Sequence, residues 1–422
     1  MIKAQLKPGV KPGLSLCMIV KNEEHYLEGC LESAKSLVDE IIILDTGSTD
    51  KTIEIAKKYT DNIYHFEWCN DFSKARNESL KHATKEWILY LDADERLQES
   101  QLQDIRDLMK RPEFGAYMLN LKCYSDMNDY SKYEMAVYRR MFRNYENVYF
   151  KGKVHEQVYY SLKELGVVTA NTSIIIEHLG YAVSDEIMDA KKERNLTLLQ
   201  ENLKLHPNDS YTWHQLSGTF VTMNRYEEAY MPAMKALSLP DITPAIKARC
   251  YNILSIISAH YKEYYRCIFY ARESIKIAPN QLHALYYMAD SFYALGLYEG
   301  ALDKYHLLFS NSNIPESRRK QEITTDITMQ NWQIYQAFVR CYDKLEDYEK
   351  VIEYSIKTLD DNPKLIEVNY QLAITYTKLE QFDISELYAQ KLNTDKHKSN
   401  YLLAMGFLEK AKKKCYRGAF IF

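Results

Sequence analysis

The second half of the chain repeats itself with a period of roughly 34 residues, and this periodicity constrains the fold more than any other feature. From about Asp189 onward, helix-forming segments follow one another with aromatic, leucine-type and small residues at matching places. The successive copies begin near Trp213, Tyr251, Leu285, Tyr335 and Asn369. Because one helix pair cannot bury its apolar face alone, such pairs stack on their neighbours. The pattern predicts an all-α solenoid.

These copies resemble tetratricopeptide repeats, which are paired helices with small residues at close contacts and a proline after the second helix. The step from the third copy to the fourth exceeds one period, which predicts an insertion around 311–329. We expect the repeats to occupy 189–394, and a capping helix over 402–414 to lie within the C-terminal part, 395–422. Many of the 36 tyrosines fall at packing positions of the repeats. A tyrosine-lined channel for a sugar or peptide is the alternative interpretation.

The first half of the chain alternates strand-like and helix-like segments instead. Its apolar runs are typical of strands covered on both faces. The expected strands lie at 14–20, 38–44, 62–66, 87–91, 115–124, 136–142 and 173–178. The helices expected between the first four strands lie at 24–36, 51–59 and 71–84. This alternation predicts an α/β, doubly wound and mostly parallel sheet in a domain spanning 14–188, after an N-terminal extension over 1–13.

Composition excludes several classes of function. A net charge of −4 provides no electrostatic footprint for a nucleic-acid partner. The eight cysteines are scattered, without a Cys-x-x-Cys pair or the spacing of a zinc site, and indicate a reducing compartment. The N-terminus lacks the apolar core of a signal peptide, and no apolar run approaches the roughly 18 residues of a membrane span. We therefore expect a cytoplasmic protein without a membrane span.

Two carboxylates, Asp92 and Asp94, follow the apolar run 87–91 directly. Like charges this close repel, so an opposite charge must offset them. Carboxylate oxygens suit Mg²⁺ and Mn²⁺, which makes a divalent cation the expected partner. Because doubly wound sheets bind ligands at the carboxyl ends of their strands, we expect 21–23, 45–48 and 92–94 to share one rim.

Six motifs occur in a fixed order along this half. They are SLCMIVKNEE at 15–24, DTGSTD at 45–50, NDFSKARN at 70–77, LDAD at 91–94, KGKVHE at 151–156 and EHLGY at 177–181. Together they resemble the family 2 glycosyltransferases of GT-A fold. With the repeat tail, the chain is similar to the bacterial peptide S- and O-glycosyltransferases that modify glycocin bacteriocins. The resemblance implies an inverting, metal-dependent transfer of a hexose from a UDP-sugar donor, UDP-glucose or UDP-GlcNAc.

The resemblance also implies roles for the residues at the donor side of the rim. Asp94 would be the main ligand of Mg²⁺ or Mn²⁺, and Asp92 would hold the ribose hydroxyls or a metal-bound water. Asp45 would bind the uridine, although it can also cap the helix that follows it. Asn22 would shape the nucleotide pocket. Where many relatives have a second aspartate after Asp45, this chain has Thr46, so no role is carried over to Thr46.

Two further donor-side residues lie at the start of an expected helix. Arg76 can reach phosphate oxygens or pair with Asp92 or Asp94. Asp71 can contact the nucleotide or cap the helix. Both alternatives stay open for each residue.

The acceptor side requires a base near the attacking thiol or hydroxyl. In GT-A enzymes a carboxylate in this region often serves as the base, which favours Glu156, with His155 as the second candidate. His155 can equally be a structural or substrate-orienting residue. A late histidine often completes the metal shell in this fold, which suggests His178, although a histidine beside a strand is often structural.

The expected acceptor is a Cys, Ser or Thr side chain of a peptide or protein presented by the repeats, because such solenoids offer concave surfaces to extended chains. Transfer to a polysaccharide or a lipid-linked glycan is one alternative. A non-catalytic scaffold with a degenerate transferase domain is another, and the intact acidic residues count against it. A sugar-nucleotide pyrophosphorylase would need a Gly-rich phosphate loop, which 20–25 lacks. A solenoid edge could also support a homodimer.

Overall fold

Contacts between Cα atoms divide the chain into two compact units. Unit 1 comprises Met1–Ile257, Lys276–Pro279 and Pro315–Ile327, and unit 2 comprises Ser258–Ile275, Asn280–Ile314 and Thr328–Phe422. The computed structural model describes residues 4–124, 133–180, 185–314, 325–326 and 329–418. The domain boundaries expected at 13/14, 188/189 and 394/395 stay predictions.

Unit 1 is built on a mixed sheet. Its strands are β1 (Lys11–Val20), β2 (Glu40–Asp45), β3 (Ile63–His65), β4 (Lys85–Tyr90), β5 (Glu95–Leu97), β6 (Ala116–Tyr124), β7 (Tyr133–Arg143), β8 (Thr169–His178) and β9 (Thr325–Asp326). The helices within this α/β part are α1 (Leu27–Ala34), α2 (Thr52–Ala56), α3 (Phe72–His82), α4 (Leu102–Met109) and α5 (Tyr159–Glu164). Every strand and helix that the sequence predicts here is present, with bounds shifted by a few residues.

The strand order explains where a ligand site can form. Along the sheet the order is β3-β2-β1-β4-β7-β6-β8-β5, and β9 pairs with β7. β3, β2, β1 and β4 are parallel, whereas β7 joins β4 in the antiparallel direction. The four parallel strands therefore direct their carboxyl ends to one edge, and the doubly wound α/β prediction is confirmed.

The apolar strands form the centre of the sheet because helices cover them. Leu14, Leu16 and Met18 of β1 are fully buried, as are Ile42 and Ile43 of β2. Consecutive side chains of a strand point to opposite faces, so the burial of both Ile42 and Ile43 means that both faces of the sheet are covered. This accounts for the unbroken apolar runs in the sequence.

The short strand β5 is a feature that the sequence did not predict. It pairs in the antiparallel direction with the end of β8, and Glu95 lies opposite His178. Three residues are too few for a periodicity signal. The pairing nevertheless brings the segment that follows Asp94 onto the strand that carries His178.

The rest of the described chain consists mainly of paired helices, as predicted. Their bounds are α6 (Asp185–Leu205), α7 (Ser210–Thr222), α8 (Tyr226–Leu237), α9 (Pro244–His260), α10 (Tyr264–Ile277), α11 (Leu282–Ala294), α12 (Tyr298–Ser312), α13 (Asn331–Lys344), α14 (Tyr348–Asp361), α15 (Val368–Lys378), α16 (Phe382–Gln390) and α17 (Lys398–Gly418). The five predicted copies correspond to the pairs α7/α8, α9/α10, α11/α12, α13/α14 and α15/α16, and α17 is the predicted terminal helix.

Some sequence predictions fall outside the described residues. These are Tyr181 of the EHLGY motif and most of the insertion over 311–329, of which 315–324 and 327–328 are not described. In the described part of that insertion, Thr325 and Asp326 pair with Ala136 and Met135 of β7. Among the described helices, none has the length and apolar character needed to cross a bilayer.

Candidate active site

The carboxyl ends of β1, β2 and β4 lie side by side at one edge of the sheet. Val20 lies opposite Asp45 in the β1–β2 register, and Cys17 lies opposite Tyr90 in the β1–β4 register. The chain therefore leaves β4 for the acidic pair at the same edge of the sheet at which it leaves β2, with β1 between the two strands. This is the rim at which the sequence predicts a ligand.

Asn22 and Asp45 organise the loops after β1 and β2. Oδ1 of Asp45 accepts a hydrogen bond from the backbone N–H of Ser48 at 3.0 Å. Oδ1 of Asn22 accepts one from the backbone N–H of Thr49 at 2.8 Å, which links the two loops. Asn22 has a φ of 57°, in the left-handed region that asparagine tolerates better than most residues. Both side chains thus shape the rim, and their contacts with a nucleotide stay predictions.

Asp71 is the N-cap of α3. Its Oδ1 accepts hydrogen bonds from the backbone N–H of Lys74 at 3.1 Å and from the hydroxyl of Ser73 at 2.7 Å. The cap satisfies N–H groups that a helix start would otherwise leave unpaired. It also fixes the start of the helix, and hence the direction from which Arg76 enters the rim. Of the two alternatives for Asp71, capping is the one present in the structure.

Arg76 connects Asp92, which is expected on the donor side of the rim, with Glu156, which is expected on the acceptor side. Its Nη2 donates to Oδ1 of Asp92 at 2.7 Å, and its Nε donates to Oε1 of Glu156 at 2.5 Å. The guanidinium lies 4.7 Å from the ring centroid of Tyr90, and the residue is only 6% exposed. Pairing with Asp92 was one of the predicted alternatives, whereas the contact with Glu156 was not foreseen.

A second buried arginine, Arg140 of β7, completes this ion network. Its Nη2 donates to Oε1 of Glu95 at 2.5 Å and to Oδ2 of Asp92 at 3.3 Å. Burial raises the pKa of Asp92, but the charges of Arg76 and Arg140 outweigh it and hold this pKa well below its usual range. Asp92 is therefore ionised between two cations.

Sequence reasoning missed Arg140 and Glu95. Burial raises the pKa of Glu95 above its usual range, although Arg140 acts against this effect. The two residues meet because β7 inserts in the antiparallel direction next to β4. The signal available in the sequence was an arginine pair, Arg139 and Arg140, inside an expected strand, where at least one charge must point inward.

His155 and Glu156 lie within a tight loop after Phe150, which the backbone hydrogen bonds between Lys151 and Gln157 close. The Glu156 side chain is only 11% exposed, and Arg76 orients its carboxylate toward the end of β4. His155 has a φ of 53°, and burial lowers the pKa of its imidazole to about 4, helped by Arg249 and Arg194. The imidazole is therefore neutral at pH 7. The structure brings Glu156 into the ion network with Asp92 through Arg76.

Asp94 and His178 form a separate pair. Nε2 of His178 lies 3.2 Å from Oδ1 of Asp94, and both side chains are largely buried. Burial opposes protonation of His178, but hydrogen bonds with Asp94 and Cys123 and the charges of Asp94 and Glu95 raise its pKa to about 11. A Cβ on Gly180 would overlap Oδ2 of Asp94, so only glycine allows this close approach.

This pair fits a Mg²⁺ or Mn²⁺ ion. The carboxylate oxygens of Asp94 suit either ion, the imidazole nitrogen of His178 becomes a donor once it loses its proton, and the absence of a side chain at Gly180 lets Asp94 lie beside His178. A bound cation would replace the proton of His178. Both oxygens of Asp92 face arginines, and within the described ranges no three His, Cys, Asp or Glu side chains converge to hold a metal. Magnesium characteristically completes such a shell with substrate phosphates and water.

Glu23 adds a further carboxyl group to this side of the rim. Burial and the nearby charge of Asp94 raise its pKa to about 7, and Lys191 acts against them. Its backbone N–H donates to the hydroxyl of Thr52 at 2.7 Å. An open pocket of about 340 Å³ lies elsewhere, beside Lys151 and Tyr160, and none of the predicted site residues lines it.

Comparison with known proteins agrees with this geometry. Residues 15–162 match the family described as "Glycosyl transferase family 2". A "TPR repeat-containing protein" of Synechococcus elongatus is 34% identical over 251 residues, which cover 58% of this chain and 61% of that protein. The "SPbeta prophage-derived glycosyltransferase SunS" of Bacillus subtilis is 35% identical over 201 residues, 46% of each chain. The chain thus spans less than two thirds of the length of either relative.

Among solved structures, the crystal structure of MamA matches 42% of this chain and 93% of its own, at 17% identity and a TM-score of 0.35. So low a score carries no weight for the helical half, which is recognised by its helix pairs. The matched segment 15–162 contains β1 to β4 and most of the candidate rim residues. Residues 15–162 therefore match a glycosyl transferase family 2 domain in sequence and have an α/β fold, and paired helices that resemble tetratricopeptide repeats follow them along the chain.

Proposed function

We propose that this protein is an inverting glycosyltransferase that moves a hexose from a UDP-sugar to a Cys, Ser or Thr side chain of a peptide or protein. The observation that carries the proposal is the rim itself, where Arg76 joins Asp92 to Glu156 at the edge of the sheet at which β2 ends in Asp45. The similarity to a protein named glycosyltransferase SunS supports the reaction type.

The donor would lie across the ends of β1, β2 and β4. In this proposal Asp45 and Asn22 contact the uridine, and Asp92, kept ionised by two arginines, accepts hydrogen bonds from the ribose hydroxyls. Asp94 and His178 would hold Mg²⁺ or Mn²⁺. Such an ion supplies Lewis-acid neutralisation of the diphosphate charge that develops as UDP leaves.

Glu156 is the proposed base. The acceptor S–H or O–H loses its proton to the Glu156 carboxylate as sulfur or oxygen bonds to the anomeric carbon of the sugar. The bond from that carbon to the UDP phosphate oxygen breaks, and its electron pair leaves with UDP. A single displacement from the opposite face inverts the anomeric centre. Arg76 binds Oε1 of Glu156, so the base and the donor-side Asp92 are held by one guanidinium.

His155 remains the second candidate for the base. Its neutral imidazole can accept a proton, but a pKa of about 4 makes it a weak base at neutral pH. The cysteines described in the structure are free thiols, which fits the reducing, cytoplasmic location that we propose. A homodimer and the presentation of the acceptor by the repeats also belong to the proposal.

The test is UDP release by the full-length protein with UDP-glucose and with UDP-GlcNAc, in the presence of Mn²⁺ or Mg²⁺. We expect slow donor hydrolysis in the absence of an acceptor, and loss of it in Asp94→Ala. Asp107→Ala is the matched control, because Asp107 is an exposed aspartate of α4 that pairs only with groups of its own helix.

Candidate acceptor peptides would then be analysed by mass spectrometry for an added hexose mass. Turnover of Asp94→Ala at the rate of Asp107→Ala would contradict the metal site. Absence of UDP binding by calorimetry in the wild-type protein would contradict transferase function and favour a scaffold. Transfer to oligosaccharides but to no peptide would assign the acceptor to the glycan class instead.

A further inference from the structure

We infer that the first helices of the repeat half are part of the active site, because they hold the loop that carries Glu156 in its working conformation. The inference rests on the proposed function and extends it to α6 and α7, whose residues Glu201 and Tyr211 act as positioning residues. Sequence reasoning placed these helices in a separate acceptor-presenting domain. In the structure they belong to unit 1 together with the sheet.

The loop over 151–157 is a tight excursion closed by its own backbone. The N–H of Lys151 donates to the carbonyl of Gln157 at 3.0 Å, and the N–H of Gln157 donates back at 2.9 Å. Within it, Gly152 has a φ of 111° and His155 one of 53°. A residue with a side chain is uncommon in the left-handed region, so neighbouring structure must hold His155 there.

On the catalytic side, α3 holds this loop. The N–H of Phe72 donates to the carbonyl of Lys153 at 2.8 Å, and Nε of Arg76 donates to Glu156 at 2.5 Å. These contacts fix the two ends of the segment from Lys153 to Glu156. They leave the strained peptide at His155 between them.

On the other side, α6 and α7 hold it. The hydroxyl of Tyr211 donates to the carbonyl oxygen of His155 at 3.1 Å, and it accepts from Nε2 of Gln215 at 2.7 Å. Nζ of Lys153 donates to Oε2 of Glu201 at 2.9 Å. The hydroxyl of Tyr211 thus reaches the residue whose backbone is strained, one position before the proposed base.

These contacts give the repeat half a role that a peptide-binding surface would not have. If the hydroxyl of Tyr211 is removed, the backbone of His155 can relax from the left-handed region. That change would rotate the peptide that leads to Glu156. Among the described residues, the hydrogen bonds and ion pairs of Asp45 and Asp92, the proposed donor-binding groups, go to neither α6 nor α7, so the affinity for UDP should not change.

The principal test compares Tyr211→Phe with Tyr117→Phe in the full-length protein. Tyr117 is a matched control, since its buried hydroxyl also donates to a backbone carbonyl, that of Leu108 at 2.7 Å, away from the loop. Hydrogen exchange should become at least about fivefold faster for the amides of 151–157 in Tyr211→Phe only, as expected for loss of one hydrogen bond. The kcat for hydrolysis of UDP-glucose, or of whichever UDP-sugar the wild-type protein turns over, should fall about fivefold to tenfold. The KM should stay within about twofold.

A second pair of variants keeps the inference testable if Tyr211→Phe folds poorly. Glu201→Gln removes the ion pair of α6 with Lys153, and Asp189→Asn removes a comparable pair within α6, 2.8 Å from Lys192, that does not touch the loop. Glu201→Gln should speed exchange of 151–157 and lower kcat, and Asp189→Asn should do neither.

Unchanged exchange of 151–157 in both Tyr211→Phe and Glu201→Gln would overturn the inference, as would faster exchange with an unchanged kcat. A rise in KM with unchanged kcat would also overturn it, because that result indicates donor binding rather than positioning of the base. A wild-type protein that neither binds UDP nor releases it would refute the proposed function, while the exchange measurement would still decide whether α6 and α7 hold the loop.

Discussion

Replacement of Arg140 by methionine tests the buried ion network most directly. Methionine keeps the unbranched shape of the arginine stem and removes the charge. In the folded protein the guanidinium of Arg140 lies 2.5 Å from Glu95, which is fully buried, and 4.5 Å from the ring centroid of Tyr90. The variant therefore leaves a buried carboxylate without its cation, while the aromatic contact remains available to the thioether.

The magnitude follows from the burial of Glu95. Removal of one partner of a buried pair costs about 3–5 kcal/mol where the remaining group stays charged. The measurement is therefore made well above pH 7, because burial raises the pKa of Glu95 to about 7. Arg140→Met should therefore lower the free energy of unfolding of unit 1 by about that amount. The double variant Arg140→Met/Glu95→Gln should recover most of it, since a neutral amide can still accept the hydrogen bond that the backbone N–H of Asp92 donates to Glu95 at 2.9 Å.

The assay is native-state hydrogen exchange of peptides from β4 and β7. A chain with two compact units need not unfold in a single transition, and exchange reports the opening of the sheet by itself. A loss of 3–5 kcal/mol corresponds to exchange roughly a hundredfold to several thousandfold faster.

Arg225→Met is the control, because Arg225 pairs with Glu228 at 2.6 Å on the surface, where such pairs contribute about 1 kcal/mol or less. Two results would refute the reasoning. One is an effect of Arg140→Met no larger than that of Arg225→Met. The other is a double variant as unstable as the single one, which would show that the cost does not come from the orphaned Glu95.

Three further outcomes are expected. Gly180→Ala should abolish Mn²⁺-dependent UDP release, because the new Cβ displaces the carboxylate of Asp94. Gly406→Ala is the control, because its Cβ meets nothing within 4 Å, and it should keep the wild-type rate. Equal rates in the two variants would show that the close approach of Gly180 to Asp94 is not required. Arg76→Lys should lower kcat for UDP release by about tenfold to a hundredfold, since a point-like ammonium cannot bind two carboxylates as a planar fork does, and a rate within twofold of wild type would contradict the bridging role. Burial, together with Arg249 and His155, holds the pKa of His214 well below 6.5 in the folded protein. The folded state therefore favours the neutral imidazole, and its contribution to the free energy of unfolding is fully present above about pH 6.5 and is lost as the pH falls. His214→Gln should therefore flatten the decline in unfolding free energy below that pH, and an unchanged slope in native-state hydrogen exchange of α7 would show that His214 does not titrate with folding.

Sequence patterns predicted the rim because each of its donor-side residues carries a local signal. Asp45 follows an unbroken apolar strand, and Asp92 and Asp94 follow another, so the topology of a parallel sheet is enough to bring them together. Asp71 stands where a helix begins. For such residues the position along the chain determines the position in space, apart from a few residues at the element ends.

The remaining site residues depend on contacts between distant segments. Arg140 reaches Glu95 because β7 pairs with β4 in the antiparallel direction. β7 is far from β4 along the chain, and no local sequence pattern specifies that the two strands pair. The closeness of Asp94 and His178 depends on the pairing of β5 with β8. A pairing of three residues leaves no period in the sequence, so only the resemblance to a known family suggested that the two residues act together.

Tyr211 shows the same limit in the repeat half. Its place at the start of a repeat copy predicts helix packing, and 36 tyrosines in one chain offer no means of selecting it. Packing decides its contact, since the hydroxyl donates to the carbonyl oxygen of His155, whose backbone is in the left-handed region, in the loop that carries Glu156. Helical repeats are recognised by a local period, whereas compact units are defined by contacts, and the two criteria divide the chain at different places. The helices before Ile257 meet both criteria. They are repeats by their sequence pattern, and by their contacts they belong to unit 1 with the sheet. Under the proposed function, α6 and α7 would therefore serve both the helical repeats and the loop that carries Glu156.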